Sequence, residues 1–152
     1  MSSLWLSLHL IGFIAWMGGL LAVLAIGSTA RREDPALHGV VARLQSGIYR
    51  MLVGPGAMLT VVSGMILTLQ LYGEATAVGL SAPLMTMQGV GLLAGLVSLI
   101  VSVPTASRLA RLEPAGPSAA LFAQLSQRLR TADLATLVLS MIALVAGTIG
   151  RG

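Results

Sequence analysis

Four long stretches of this chain are almost free of charge, and that feature decides most of what it can become. Residues 4–27 are apolar apart from Ser7 and His9, and residues 51–71, 83–103 and 132–150 are nearly as apolar, with Asp133 the single charged side chain among the four. Each is long enough, at 1.5 Å of rise per residue, to cross a hydrocarbon core of about 30 Å as a helix. Charged residues make up only 9% of the sequence and the mean hydropathy is +0.92. A soluble domain carries roughly 25% charged residues to cover its surface. The outer surface here must therefore face lipid, and the bilayer is the first expected partner. The expectation is an all-α fold, an integral membrane four-helix bundle forming a single transmembrane domain over residues 1–152. The first segment lacks a basic stretch ahead of it and outruns the apolar core of a signal peptide, so it is read as a retained helix.

The segments between the spans set the orientation. Arg31, Arg32, Arg43 and Arg50 lie between spans one and two, and Arg108, Arg111, Arg128 and Arg130 between spans three and four. The turn at 72–81 carries Glu74 and no arginine, and Arg151 follows the last span. By the positive-inside rule both basic segments face the cytoplasm and both termini lie outside, in a cell inner membrane. The arginines have no interleaved aromatic residues on which bases could stack, which argues against nucleic acid as a partner. Residues 38–50 and 118–130 are amphipathic and either lie at the interface or begin the next helix early. Pro55 and Pro104 are expected to kink spans two and three. Each half of the chain repeats the order span, basic segment, amphipathic stretch, arginine, span, a weak sign of two helix pairs related by an axis along the membrane normal.

Helices in lipid gain little from burying apolar surface and associate through small residues that let backbones approach. Stripes of this kind recur at helical spacing: His9, Gly12, Trp16, Gly19 and Val23 on span one; Gly47, Arg50, Gly54, Ala57, Val61 and Gly64 on span two; Gln88, Gly91, Gly95, Ser98 and Ser102 on span three; Asp133, Thr136, Ser140, Ala143 and Gly147 on span four. These faces are expected to point inward.

Among residues able to carry chemistry, His9 stands out. An ionisable side chain inside a span is a functional candidate by default, because leaving it unpaired is costly. Imidazole is also a frequent axial ligand of haem iron. The alternative is a neutral histidine bonded to Gln88, Gln70 or a backbone carbonyl. His9 is expected to face span three at the depth of Met85, Met87 and Gln88. Thioether sulfur suits Cu(I) and haem iron, whereas the series Met51, Met58 and Met65 more simply fills gaps between helices. His38 is read as interfacial. Arg50 and Asp133 are a candidate pair across spans two and four, or else Arg50 meets lipid phosphate. There is no cysteine, which excludes disulfides, iron–sulfur clusters and covalent haem attachment. Paired carboxylates and the phosphate-loop, nucleophile-elbow and HExxH patterns are also absent from the sequence.

The run His9-Leu10-Ile11-Gly12-Phe13-Ile14-Ala15-Trp16-Met17-Gly18-Gly19 resembles the first span of two related families, the HemJ-type protoporphyrinogen IX oxidases and the CopD-type copper-resistance membrane domains. Ile48-Tyr49-Arg50-Met51, Pro55-Gly56-Ala57-Met58 and Gly64 are similar to the second-span pattern of the HemJ type, and Arg130-Thr131-Ala132-Asp133 is weakly similar to its motif before the last span. The resemblance implies a haem b bound by His9, with Gly12, Gly19, Gly91 and Gly95 making room beside Trp16 and with Met85 or Met87 opposite. Span three departs from it: Pro83-Leu84-Met85-Thr86-Met87-Gln88 stands where the HemJ type has a histidine and a lysine. The family's oxidase chemistry thus does not carry over residue by residue. Three readings follow: a haem-b protein of electron transfer or oxidation, a non-catalytic accessory subunit or homo-oligomer built on packing alone, and a copper-handling protein using His9 and methionines.

Overall fold

The computed structural model describes residues 2–30, 32, 34–74 and 82–149. Part of the expected turn (75–81), Arg31, Glu33 and Arg151 lie outside the described residues. The chain is an all-α transmembrane bundle. Helix α1 (Ser2–Ala30) forms the first span. Helix α2 (His38–Ile48) runs through a five-residue π-turn (Tyr49–Val53) into α3 (Gly54–Glu74), and together they make the second. Helix α4 (Ala82–Val97), a second π-turn (Ser98–Ser102) and α5 (Val103–Leu109) make the third, and α6 (Ala119–Ile149) the fourth. The amphipathic stretches do not lie apart at the interface. Each is the early part of a spanning helix, so the helices extend well past the apolar cores at the arginine-bearing end.

The π-turns have a sequence cause. A proline lacks the N–H that would close an α-turn, and its ring crowds the carbonyl four residues back. Pro55 and Pro104 each stand two residues after a π-turn. The chain widens ahead of each ring, so that Gly54 N–H bonds Tyr49 O and Val103 N–H bonds Ser98 O, one residue further back than in an α-helix. The two widened turns lie together: a Cβ on Gly54 would sit 3.6 Å from Val103 Cγ2.

Packing follows from glycine placement. α1 and α3 run antiparallel with their backbones nearly touching. A Cβ on Gly56 would stand 2.6 Å from Trp16 N and 2.8 Å from Gly12 O, and one on Gly12 would stand 2.9 Å from Thr60 N. α4 pairs with α6 in the same sense, through Gly91 against Ala143 and Met87 against Gly147. The bundle is therefore two helical hairpins, joined where Gly95 meets Val61 and where Trp16 crosses the interior to span three. The expected inward stripes of spans one, three and four are largely buried. That of span two is not, since Arg50 is exposed and Tyr49, Val53, Gly56, Thr60 and Ser63 are buried there beside Ala57 instead. The neighbour of the first stripe also differs from expectation. That stripe packs mainly on span two, because the glycines at 12, 19 and 56 interlock there, and it reaches span three through Trp16.

Burial is uneven along the membrane normal. Every buried residue lies at or beyond the level of Gly12, Ser63, Ala94 and Ala143 counted from the end that carries the termini. Toward the termini none of the described residues is buried, so that third of the bundle is loosely closed.

Two substitutions check the glycine contacts. Gly56→Ala forces backbone apart and should destabilise the bundle by about 1–3 kcal/mol, in the range of overpacking costs. Gly18→Ala, where a Cβ would meet nothing within 4 Å, should be close to neutral. Unfolding by denaturing detergent in mixed micelles reads both; equal stability of the two variants would contradict the packing described.

Candidate functional site

Two polar regions occupy the interior, and the first surrounds His9. Its Nδ1 lies 2.9 Å from Thr60 O. A carbonyl only accepts, so Nδ1 carries the proton and Nε2 keeps its lone pair. Ser63 Oγ is 3.3 Å from the same nitrogen, while its own hydroxyl donates to Leu59 O at 2.5 Å. The ring lies on Gly64, where a Cβ would come 3.0 Å from its Cε1. His9 thus leans on span two and not toward Met85–Gln88, a correction with the same cause as the helix pairing. It sits half-buried at the edge of the loosely closed third, and Nε2 makes no hydrogen bond among the described residues. Nearby, Gln70 Oε1 is buried without a partner.

The other expected residues divide. Gly12 and Gly19 are filled by span two, the latter with Val53 Cγ2 2.9 Å from where its Cβ would be. Gly95 is filled by Val61, whereas a Cβ on Gly91 would meet only Ala143, at 3.9 Å. Trp16 is a core residue: its indole N–H donates to Ser98 Oγ at 2.9 Å, and Phe13 meets it edge-on at a centroid distance of 6.4 Å. Met85 is 57% exposed on the outer surface. Met87 turns its sulfur to Gly147, and Gln88 is half-buried. His9 and the methionines do not converge, and no cluster of three His, Asp or Glu suited to a metal occurs among the described residues.

The second region is centred on Asp133, 2% exposed, with Tyr49, 1% exposed, donating its hydroxyl to Oδ2. Sequence reasoning paired Asp133 with Arg50. The side chain that reaches it is the preceding residue, because the π-turn opens at Tyr49 and turns its ring inward while Arg50 stays exposed. Ser98 and Ser102 from the second π-turn, and Thr136 and Ser140 from α6, line the same interior seam and are all buried. Their signal in the sequence was residue type: a packing stripe is served by glycine and alanine, whereas these positions carry hydroxyls. Thr60 and Ser63 were missed for the opposite reason, as common small residues in a span without a charged neighbour.

The class that the fold defines is a multi-pass membrane protein built as a four-helix bundle. No protein-family model, no curated protein and no solved structure matches the chain.

The two interior hydrogen bonds should differ in weight. Trp16→Phe leaves a serine that can turn back on its own helix, and should cost about 0.6 kcal/mol, typical of such contacts in bundles. Tyr49→Phe leaves a buried carboxyl oxygen unpartnered and should cost about 1–3 kcal/mol. Equilibrium unfolding in mixed micelles ranks them, and the reverse order would refute the assignment.

Proposed function

We propose that the protein holds one haem b in the loosely closed third of the bundle, with His9 as the axial ligand, and serves electron transfer or oxidation there. The observation that carries this reading is the fixed tautomer: Thr60 O takes the Nδ1 proton, which leaves Nε2 as a ligating lone pair at the one end of the bundle where none of the described residues is buried. Metal-ligating histidines are typically oriented in this way through the other ring nitrogen. The fit is with part of the expected set. His9 suits the group. Gly12 and Gly19 do not, since span two already fills them, and Met85 and Met87 supply no opposite ligand. Iron in such a site would supply one-electron chemistry. The chain's own contribution is to hold the imidazole, keep its proton on Nδ1 and set the site against lipid. The resemblance to the HemJ and CopD types supports the same reading. The arginine distribution supports a cytoplasmic membrane with both termini, and hence His9, on the outer side.

A second reading, an accessory or self-associating packing module, is favoured by the interlocked glycines at 12, 19 and 56, which serve helix contact alone. Copper handling has less support, because the thioethers lie away from His9.

The absorption spectrum of the protein purified in mild detergent, after expression with added haem precursor, decides between them. The expected result is a Soret band that reduces to resolved α and β bands and disappears in His9→Ala, with unfolding behaviour retained. A colourless protein, or a Soret band unchanged in His9→Ala, would overturn the haem reading. A reporter joined after Arg151 should be active only outside the cytoplasm, and one inserted at 114–117 only inside.

A further inference from the structure

Ser and Thr hydroxyls along the spans generally return to their own helix. Thr60, Ser63, Thr68, Thr86, Ser107 and Thr131 each donate to the carbonyl four residues back. This is the expected resting state of a hydroxyl inside a helix, where no water is at hand. Ser102, Thr136 and Ser140 depart from it. Their oxygens are fully buried and none returns to its own helix: Thr136 and Ser140 make no hydrogen bond, and Ser102 reaches only the Asp133 carboxyl. Two hydroxyls with no partner, beside a carboxyl that only Tyr49 and Ser102 reach among the described residues, are far from the usual state of a protein interior, where nearly all buried polar groups are paired.

They also belong together. Asp133, Thr136 and Ser140 step by three and four residues along one face of α6. Ser102 closes the π-turn opposite and stands beside the Asp133 carboxyl. Tyr49 occupies Oδ2 from span two, leaving Oδ1 as the buried oxygen that Tyr49 does not bond. π-turns are most often kept where a helix must present side chains to a ligand, and two of them open onto this seam.

The seam also holds a carboxyl with no basic partner among the described residues. Among the described residues Tyr49, from span two, is the one titratable group that bonds Asp133, and Ser102 reaches it from span three. Arg50, Arg108, Arg128 and Arg130 are exposed, and no basic side chain pairs with Asp133 among the described residues. A lone carboxyl in a low-dielectric interior either keeps a proton or, when ionised, needs a compensating charge. Hard cations are held by oxygen ligands, and a carboxylate with hydroxyls is such a set. One negative charge asks for one positive charge.

We infer that the seam is a binding site for one small monovalent cation of the sodium class, held by Asp133 Oδ1 and the hydroxyls of Ser102 and Thr136, with Ser140 completing the polar lining. The site is separate from His9 and stands whether or not haem is bound there.

The experiment is sodium binding to the intact protein in detergent at constant ionic strength, with choline as the replacement ion. Radioactive sodium should bind at one per chain, and unfolding temperature should rise with sodium in a saturating way, as linkage requires of a ligand that binds only the folded state. Potassium should raise it less. Asp133→Asn should abolish both effects. Should that variant fail to fold, Thr136→Val and Ser102→Ala, which keep size and remove one ligand, should each weaken sodium binding about tenfold or more. His9→Ala should leave sodium binding unchanged, which separates failure here from failure of the haem reading. Absence of sodium uptake by the wild type, with an unfolding temperature equal in sodium and choline, would overturn the inference. In that case an infrared band of a protonated carboxyl, lost in Asp133→Asn, would identify a proton as the occupant. Unchanged sodium binding in Thr136→Val and Ser102→Ala would overturn it as well.

Discussion

The bundle depends on the contact of two backbones. Apolar side chains gain little by leaving lipid for protein, so a membrane helix needs another source of attraction, and close approach supplies it through dispersion and weak hydrogen bonds. Gly56 against Trp16 N and Gly12 O is that approach in this chain. It sets the distance between α1 and α3, and it places Trp16 so that its indole reaches Ser98 and the two hairpins are tied together. It also brings Thr60 under His9. The polar interior is arranged around a contact that contains no side chain on one of its partners.

Much of this architecture was legible in the sequence. The spans are runs of apolar residues whose length matches the bilayer, and the inward faces follow from small residues at helical spacing. Periodicity names a face but not the neighbour across it. His9, Gly12 and Gly19 were correctly one stripe, yet whether that stripe meets span two or span three depends on which glycines interlock, a matter of three-dimensional fit. The prolines announced kinks, but a kink and a π-turn look alike in sequence. That distinction is the reason Tyr49 and not Arg50 meets Asp133: the extra residue in the turn shifts everything before it by about 100° around the helix. The hydroxyls at 102, 136 and 140 were visible as small residues, and which of them lack partners could not be read without coordinates.

The two polar regions answer to different constraints. His9 sits where packing is loose, and its orientation is maintained by one carbonyl and a glycine surface. Asp133 sits among buried side chains, where Tyr49 and Ser102 reach its carboxyl. A half-buried polar region and a fully buried one thus occupy different levels of one bundle, with Trp16 between them.

The meeting of Gly54 and Val103, each one residue before a proline, has a mechanical consequence. Both helices are weakest in bending at the same height, and they touch there. Touching helices interrupted at one height share a fulcrum, where a bend in one is passed to the other. The fulcrum stands beside the Asp133 seam, so the seam is the part of the bundle that senses such a bend with the least displacement and the most change in strain.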